Sequence, residues 1–317
     1  MSLVFISLFN FAKNLINNFF TNIFALFKKK NKKELNFDDG EEYFALIKEL
    51  NGKLYISIID AETEEEDFTK SFLCNQRYKT PKVFVNALSK IFTKKNFKAV
   101  LLCIFDLKPK GFSTNLEFCK VLKDYFDSVE IPYYFISEHD WILSSMLVAA
   151  KVKTIKMDEN VLFVFVSNSQ FNVYVYRFKG NGFQRISSRK VSANQRAILI
   201  RQEIIGSDNP VKIFATPNQQ NQPWKTGLRK IKFKMDGFVF IAEEDIYNTD
   251  APTIELSKWI INNKRNTKYY ILPSCERTSV VFHGCNKEVN AILTAKCNDT
   301  LPFIKVWLLI DLLEIIM

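Results

Sequence analysis

Six cysteines and two histidines are the residues with which this chain could hold a metal or attack a substrate, and their spacing supports neither chemistry. Cys74, Cys103, Cys119, Cys275, Cys285 and Cys297 form no C-x-x-C pair, and His139 and His283 stand far apart, so a zinc site has no adjacent ligands to start from. Cys103 lies inside the apolar run from Ala99 to Phe105, as a buried thiol would, and a reducing, cytoplasmic compartment is expected. A serine nucleophile has no G-x-S-x-G elbow, and neither G-x-G-x-x-G nor G-x-x-x-x-G-K-[ST] occurs. Only 9 of the 317 residues are glycine, against a usual share of about 7%. Loops that cradle phosphate are made of glycine, so that shortage bears on function.

Charge is the second source of chemistry. Lys+Arg number 44 against 34 Asp+Glu, a net +10, which permits an anionic partner without choosing one. The densest run is Lys28, Lys29, Lys30, Lys32 and Lys33. It follows a segment in which Phe5, Leu8, Ala12, Leu15, Phe19, Ile23 and Leu26 recur at helical spacing, with Asn10, Asn14 and Asn17 between them. The asparagines interrupt every window long enough to span a bilayer. The expected element is therefore an amphipathic helix over 1–33, lying in an anionic membrane surface; a signal anchor and a helix packed on protein are the other readings. Arg229, Lys230, Lys232 and Lys234 alternate with Ile231 and Phe233, which reads as the wet face of a strand or a weak nucleic-acid contact. Glu64, Glu65, Glu66 and Asp67 read as a solvated loop.

The elements that must position these residues belong to a folded globular chain, 47% hydrophobic and 25% charged. Two strand-like runs between Glu42 and Ile59 flank Asn51-Gly52, a hairpin signal. Thr80-Pro81 opens a helix with Phe84, Ala87, Leu88, Ile91 and Phe92 on one stripe. Ala99–Phe105 reads as a buried parallel strand. Thr114 and Glu117 form a capping box for a helix running to about Phe126. A strand at Tyr133–Ile136, a helix at Asp140–Ala150, and strands at Val161–Val166, Phe171–Phe178 and Phe183–Val191 follow. Next come a helix from Ala193 to Ile205, a hairpin from Ile231 to Ile241 about Asp236-Gly237, a helix from Thr253 to Asn262, a strand at Tyr269–Leu272 and an apolar helix from Val306 to Met317. This alternation indicates an α/β protein with mixed sheets, divided into a first lobe over 42–158 and a second over 159–317.

One segment resembles a known family. Asn160 to Val175, NVLFVFVSNSQFNVYV, aligns without a gap to the second phosphate-binding hairpin of the heat shock protein 70 family, commonly NVLIFDLGGGTFDVSV. Asn160, Val161, Leu162, Phe171, Val173 and Val175 are identical. The Thr80-Pro81 helix, the strand at Phe97–Leu101, Ile136-Ser137-Glu138 with its helix, the Met235–Ile241 segment and Tyr269–Val281 with Arg277 follow in the family's order. The resemblance implies a two-lobed actin-like ATPase (ribonuclease H-like) fold with nucleotide between the lobes, and it leaves no length for the family's peptide-binding domain.

The departures shape the expected mechanism. Ser167, Asn168 and Ser169 stand at the family's phosphate-loop glycines, Phe165 at its water-orienting aspartate, Gln170 at a threonine and Asn172 at an aspartate. Phenylalanine holds neither a proton nor hydrated magnesium. The nearest candidate for the first phosphate loop is Ile59–Glu64, which puts Glu62 at a glycine two residues after Asp60 and sets a carboxylate against a polyphosphate. Thr216–Gly227 reads as an Asn/Gln/Pro-rich loop where the family has a basic helix. Glu138 either keeps a cleft role or simply opens a helix, and Arg277 either lies on a base or is a solvated loop arginine. The resulting expectation is a pseudo-ATPase that works by binding other proteins, with no cofactor. A chaperone relative that still binds ATP and magnesium weakly is the alternative, and a nucleic-acid adaptor is a distant third.

Overall fold

The computed structural model describes residues 40–218, 223–231, 237–265 and 267–274, with Leu35 and Phe37, and the backbone of 279–285 and 288–295. The segment 1–33 with its lysine run, Lys232, Lys234, Arg277 and the helix expected over 306–317 lie outside the described residues.

Strand β1 (Tyr43–Leu50) turns at Asn51-Gly52 into β2 (Lys53–Asp60). Both turn residues have positive φ, 53° and 74°, as a two-residue type I′ turn requires. β3 (Phe72–Leu73) pairs antiparallel with β2, while β4 (Phe97–Cys103) runs parallel to β1 and β5 (Tyr133–Phe135) parallel to β4. The order is β3-β2-β1-β4-β5. The second sheet repeats it strand for strand. β6 (Asn160–Val166), β7 (Gln170–Phe178) and β8 (Phe183–Ser192) form the antiparallel run. β9 (Lys212–Pro217) lies parallel to β6, and β10 (Phe238–Phe240) parallel to β9. Counted from its own first strand, the order is again third-second-first-fourth-fifth. One ribonuclease H-like unit occurs twice, and two such units make the two-lobed actin-like ATPase fold. β11 (Ser279–Cys285) and β12 (Glu288–Ala295) form a separate antiparallel pair.

Both faces of each sheet are apolar, so each needs two covers. On the first sheet Tyr43, Ala45, Ile47, Val100 and Leu102 pack under helix Asn115–Ser128 through Phe118, Leu122 and Phe126. Its other face, Phe44, Leu46, Ala99 and Leu101, is covered by Ile254 and Leu256 of helix Asp250–Ile261, which comes from the far end of the chain. On the second sheet Leu162, Val164, Val173 and Ile213 pack under Ile200 and Ile204 of helix Ala197–Ile205. Its other face, Val161, Phe163, Phe165 and Phe214, is covered by Leu143, Met146 and Leu147 of helix Glu138–Ala149, which follows the first sheet in sequence. Each lobe therefore lends its last long helix to the other.

Several expected elements differ. The Thr80 helix is two short ones, Pro81–Val85 and Leu88–Ile91, with Thr80 Oγ1 accepting from the Val83 amide. The described ends of the hairpin expected over 231–241 are otherwise placed, with 232–236 outside the described residues: Ile231 ends helix Lys225–Ile231, and β10 finds its partner in β9. Of the loop expected at 216–227, Thr216 and Pro217 end β9 and 225–227 open that helix, with 219–222 outside the described residues, and Arg229 and Lys230 are helical rather than strand residues. The helix placed at 193–205 begins only at Ala197. The strand expected at 269–272 reduces to one bridge between Ile271 and Phe183. The acidic run is not a free loop either. Glu64 is salt-bridged to Lys258 at 2.5 Å, and Glu66 accepts from Tyr55 Oη at 2.5 Å while its own amide donates to Asp250. Burial holds the Glu66 carboxyl above its ordinary range.

Candidate functional site

Open α/β sheets bind ligands beyond the carboxyl ends of their parallel strands. In the first sheet that edge gathers the Asn51-Gly52 turn and the ends of β4 and β5, because β1 and β4 run side by side with Lys48 opposite Cys103. In the second it gathers the Ser167–Gln170 turn and the end of β9, where Phe165 faces Thr216. The repeat makes the Asn51-Gly52 turn the counterpart of the Ser167–Gln170 turn. Asp60 and Glu62 are at the opposite edge, since Asp60 pairs with Tyr43 and Leu50 with Lys53. An eight-residue strand, about 24 Å long, separates the two ends. There Asp60 Oδ1 accepts from the Glu62 and Thr63 amides at 2.9 and 2.8 Å, so this carboxylate shapes a turn. Asp60 and Glu62 are therefore not brought together with Glu138.

The second-sheet turn is closed on itself. Ser167, 1% exposed, donates its amide to the Gln170 carbonyl at 3.0 Å. Its hydroxyl accepts from the Gln170 amide at 3.0 Å and donates to the Gln170 carbonyl at 2.8 Å. The Asn168 amide donates to the Pro223 carbonyl at 2.7 Å, and Asn168 Oδ1 accepts from the Gly227 amide at 3.1 Å. The Ser169 carbonyl accepts from Ala193, and Asn172 Nδ2 donates to Asn218 Oδ1 at 3.1 Å. Gly227 is required here: a Cβ on it would stand 2.2 Å from the Ser167 carbonyl oxygen. Helix Lys225–Ile231 thus rests directly on the turn. Amides 167, 168 and 170, which a phosphate loop would present outward, already have acceptors.

The counterpart turn is occupied in a similar way. The Gly52 amide donates to the Glu49 carboxylate, so an anion of the chain's own sits on it. Beside it Lys48, Glu49, Cys103, Phe105, Asp106 and Glu138 line a cavity of about 10 Å³. That is room for about one water, against about 300–1,000 Å³ for an ordinary small-molecule site. Burial, with Glu138, Asp106 and Glu49 adding to it, pushes the Cys103 thiol up to about 12 against the opposing pull of Lys48, which leaves it inert as a nucleophile.

Ser137 caps helix Glu138–Ala149 by accepting from the Asp140 amide at 3.0 Å, and the helix start joins the two edges. Glu138 faces the first-sheet cavity, whereas His139 packs on the second sheet, its ring 4.7 Å from Tyr174 and 6.1 Å from Phe165. The Arg185 guanidinium covers the other ring system at 5.2 Å from the Tyr174 centroid. Burial, reinforced by Arg185, lowers the His139 pKa to about 4, so the imidazole is neutral at physiological pH. Among the described residues, His139 Nε2 and Thr216 Oγ1 are buried with no hydrogen-bond partner. Phe165, 8% exposed, fills the space between these groups.

The structure therefore brings Glu138, Phe165 and the Ser167–Gln170 turn to one interlobe region, and it adds Glu49, Asn51-Gly52, Asp106 and His139, which sequence reasoning missed. The Asn51-Gly52 hairpin was legible. What could have marked it as the first loop was the repeat, whose two halves share strand order rather than residues. These residues do not fit a magnesium–triphosphate: the turn amides are engaged, and three carboxylates face one lysine. Among the described residues, no group of three or more His, Cys, Asp or Glu is arranged to hold a metal ion. Among them, too, no helix is long and apolar enough to cross a membrane.

No known protein family and no curated protein matches this sequence. Solved structures do. A protein of unknown function with an actin-like ATPase fold from Bacteroides thetaiotaomicron VPI-5482 is 10% identical, with 71% of this chain and 99% of that chain covered and a TM-score of 0.34. YeaZ from Pseudomonas aeruginosa is 8% identical, covering 72% and 97%, with a TM-score of 0.29. A non-polymerisable quadruple mutant of pCBH ParM is 9% identical, covering 68% and 99%, with a TM-score of 0.32. The superpositions are loose, and the fold assignment rests on the duplicated strand order. None of these three is a heat-shock chaperone.

Proposed function

We propose that this protein is a pseudo-ATPase, a two-lobed chain of actin-like architecture that serves as a scaffold for binding other proteins rather than as a nucleotide hydrolase. One observation carries this reading: the amides of Ser167, Asn168 and Gln170 in one turn and of Gly52 in its counterpart already have acceptors within the chain, namely the Gln170 and Pro223 carbonyls, the Ser167 hydroxyl and the Glu49 carboxylate. A phosphate entering either turn would have to break those bonds, and at Glu49 it would also displace a like charge. The finer likeness to the heat-shock chaperones rests on the sequence segments alone.

Thermal unfolding of the full chain with millimolar ATP and magnesium tests the reading. Ligand at 100 times its Kd adds about 2.7 kcal/mol of stability; the expected shift in Tm is nil. Phe165→Asp alone is expected to recover no binding, because the turn amides remain engaged. Glu49→Ala combined with Ser167→Gly, Asn168→Gly and Ser169→Gly removes the side-chain acceptors of the Gly52 and Gln170 amides and the side chains that crowd the second turn, and is the variant in which affinity should first emerge. A saturable, magnesium-dependent shift in the wild type, abolished by Glu138→Ala, would instead establish the weakly ATP-binding alternative.

A further inference from the structure

Within the second lobe, positive charge is concentrated on one stretch. Residues 184–231 carry nine basic and two acidic side chains, a surplus of seven in a protein whose total is +10. One of the two acids, Asp208, is held by Arg189 at 2.8 Å. Two helices in this stretch lie side by side on the outer face of the sheet, with Ile200, Ile204 and Ile231 turned into the core. Arg201 Nε donates to the Lys230 carbonyl at 3.1 Å, and Lys230 Nζ donates to the Ala193 carbonyl at 2.5 Å, which fixes the pair. Among the described residues, Arg196 at the cap of one helix, Arg201 within it, and Lys225, Arg229 and Lys230 on the other have no ion-pair partner. Glu203, the acid on this pair of helices, is bonded to Gln195. Ile198 and Leu199, on the same helix as Arg201, are 63% and 44% exposed.

An exposed apolar pair on a basic pair of helices selects its ligand by chemistry. A nucleic acid would use the cations but leave Ile198 and Leu199 with nothing to cover them, and single-stranded recognition calls for an exposed ring. Trp224, the aromatic side chain of this face, is already stacked on Phe240 with centroids 5.2 Å apart. We infer that the surface formed by helices Ala197–Ile205 and Lys225–Ile231 docks an acidic amphipathic helix of a partner protein. Its apolar stripe would cover Ile198 and Leu199, and its carboxylates would meet Arg196, Arg201, Lys225 and Arg229. This surface extends the protein-binding reading above and fails separately from it, because it is tested without nucleotide and by substitutions that leave both phosphate-loop turns unchanged.

The probe is a fluorescent synthetic helical peptide with leucine at i, i+3, i+4 and i+7 and glutamate flanking it, titrated with the full chain and followed by anisotropy. Binding is expected to weaken about tenfold or more in Arg196→Glu/Arg229→Glu and in Ile198→Asp, to fall at high salt, and to persist in Arg196→Lys/Arg229→Lys. All substituted side chains are on the surface, and a wild-type Tm in each variant secures the comparison. Equal affinity for a peptide of the same composition in scrambled order would overturn the proposal, as would indifference to the charge reversals. Displacement of the peptide by a single-stranded oligonucleotide that binds tighter, or binding to phosphatidylserine vesicles lost in Ile198→Asp without peptide binding, would assign the face to another partner class.

Discussion

His139 is the residue whose ionisation the fold opposes most clearly. It sits between Tyr174 and Phe165, with Arg185 across the Tyr174 ring, and its pKa falls to about 4 from an unfolded value of about 6.5. Above pH 6.5 the ring is neutral in both states and the full stability is present. As pH falls towards 4 the unfolded chain takes up a proton that the folded chain refuses, so stability is lost across that window. Burial raises Glu66 and Asp250, which act in the opposite sense and favour the folded state at low pH. Comparing wild type with His139→Phe cancels such shared contributions. The variant is expected to lose about 3 kcal/mol less than wild type between pH 7 and pH 4. Urea denaturation at several pH values reads the difference; parallel curves would show that water reaches the ring.

At the scale of elements, the exchanged helices hold the lobes in register. Leu256 of helix Asp250–Ile261 is buried with Leu46, Leu101, Cys103 and Trp141, and Leu147 of helix Glu138–Ala149 with Val161, Phe163 and Phe214. Each is the main hydrophobic cover of a sheet that its own lobe does not supply. Leu256→Ala and Leu147→Ala should each destabilise the protein by about 2–5 kcal/mol, both acting on a single transition. An effect of Leu256→Ala confined to a separate late-unfolding step would mean that the Asp250 helix docks only peripherally. Polar contacts reinforce the same junction: Glu64 to Lys258, Glu66 to Asp250 and Tyr134 to Tyr270 at 2.8 Å all cross it. Buried in part and modest singly, they orient the helix more than they stabilise it.

For the whole molecule, the exchange means that neither half is complete alone. A fragment spanning residues 40–158 would contain the first sheet intact but would leave Phe44, Leu46, Ala99 and Leu101 without Ile254 and Leu256, while Leu143, Met146 and Leu147 would have lost the second sheet. That is an apolar patch on each side of the break. The full chain is expected to unfold in one cooperative transition, and the fragment to lack a sharp thermal transition and to bind a hydrophobic dye. A well-dispersed amide spectrum from the fragment alone would show instead that the swapped helices are dispensable. Closing of the interlobe region has the same origin: Glu138 and His139, consecutive residues on the lent helix, reach one sheet edge each.

What the sequence by itself determined was local. Asn51-Gly52 specifies its turn through backbone chirality, Thr114 and Ser137 specify helix starts through the amides they cap, and the uninterrupted apolar run of β6 specifies a strand buried on both faces. The antiparallel pairing of Phe165 with Asn172 follows from the short polar turn between them. Tertiary structure decided what depends on partners distant in the chain. β9 is six residues, Lys212–Pro217, that follow one proline at 210 and end on another, and its place between β6 and β10 makes it a strand. In sequence, basic residues 230, 232 and 234 alternate with Ile231 and Phe233 as a strand would, yet Gly227 lets a helix settle on the Ser167 carbonyl, and Arg229, Lys230 and Ile231 belong to that helix. Above all, the equivalence of the two turns is a relation between strand orders, because hydrogen-bond topology is duplicated where side chains are not. Periodicity reports which face of an element is apolar; which sheet covers that face is settled by packing.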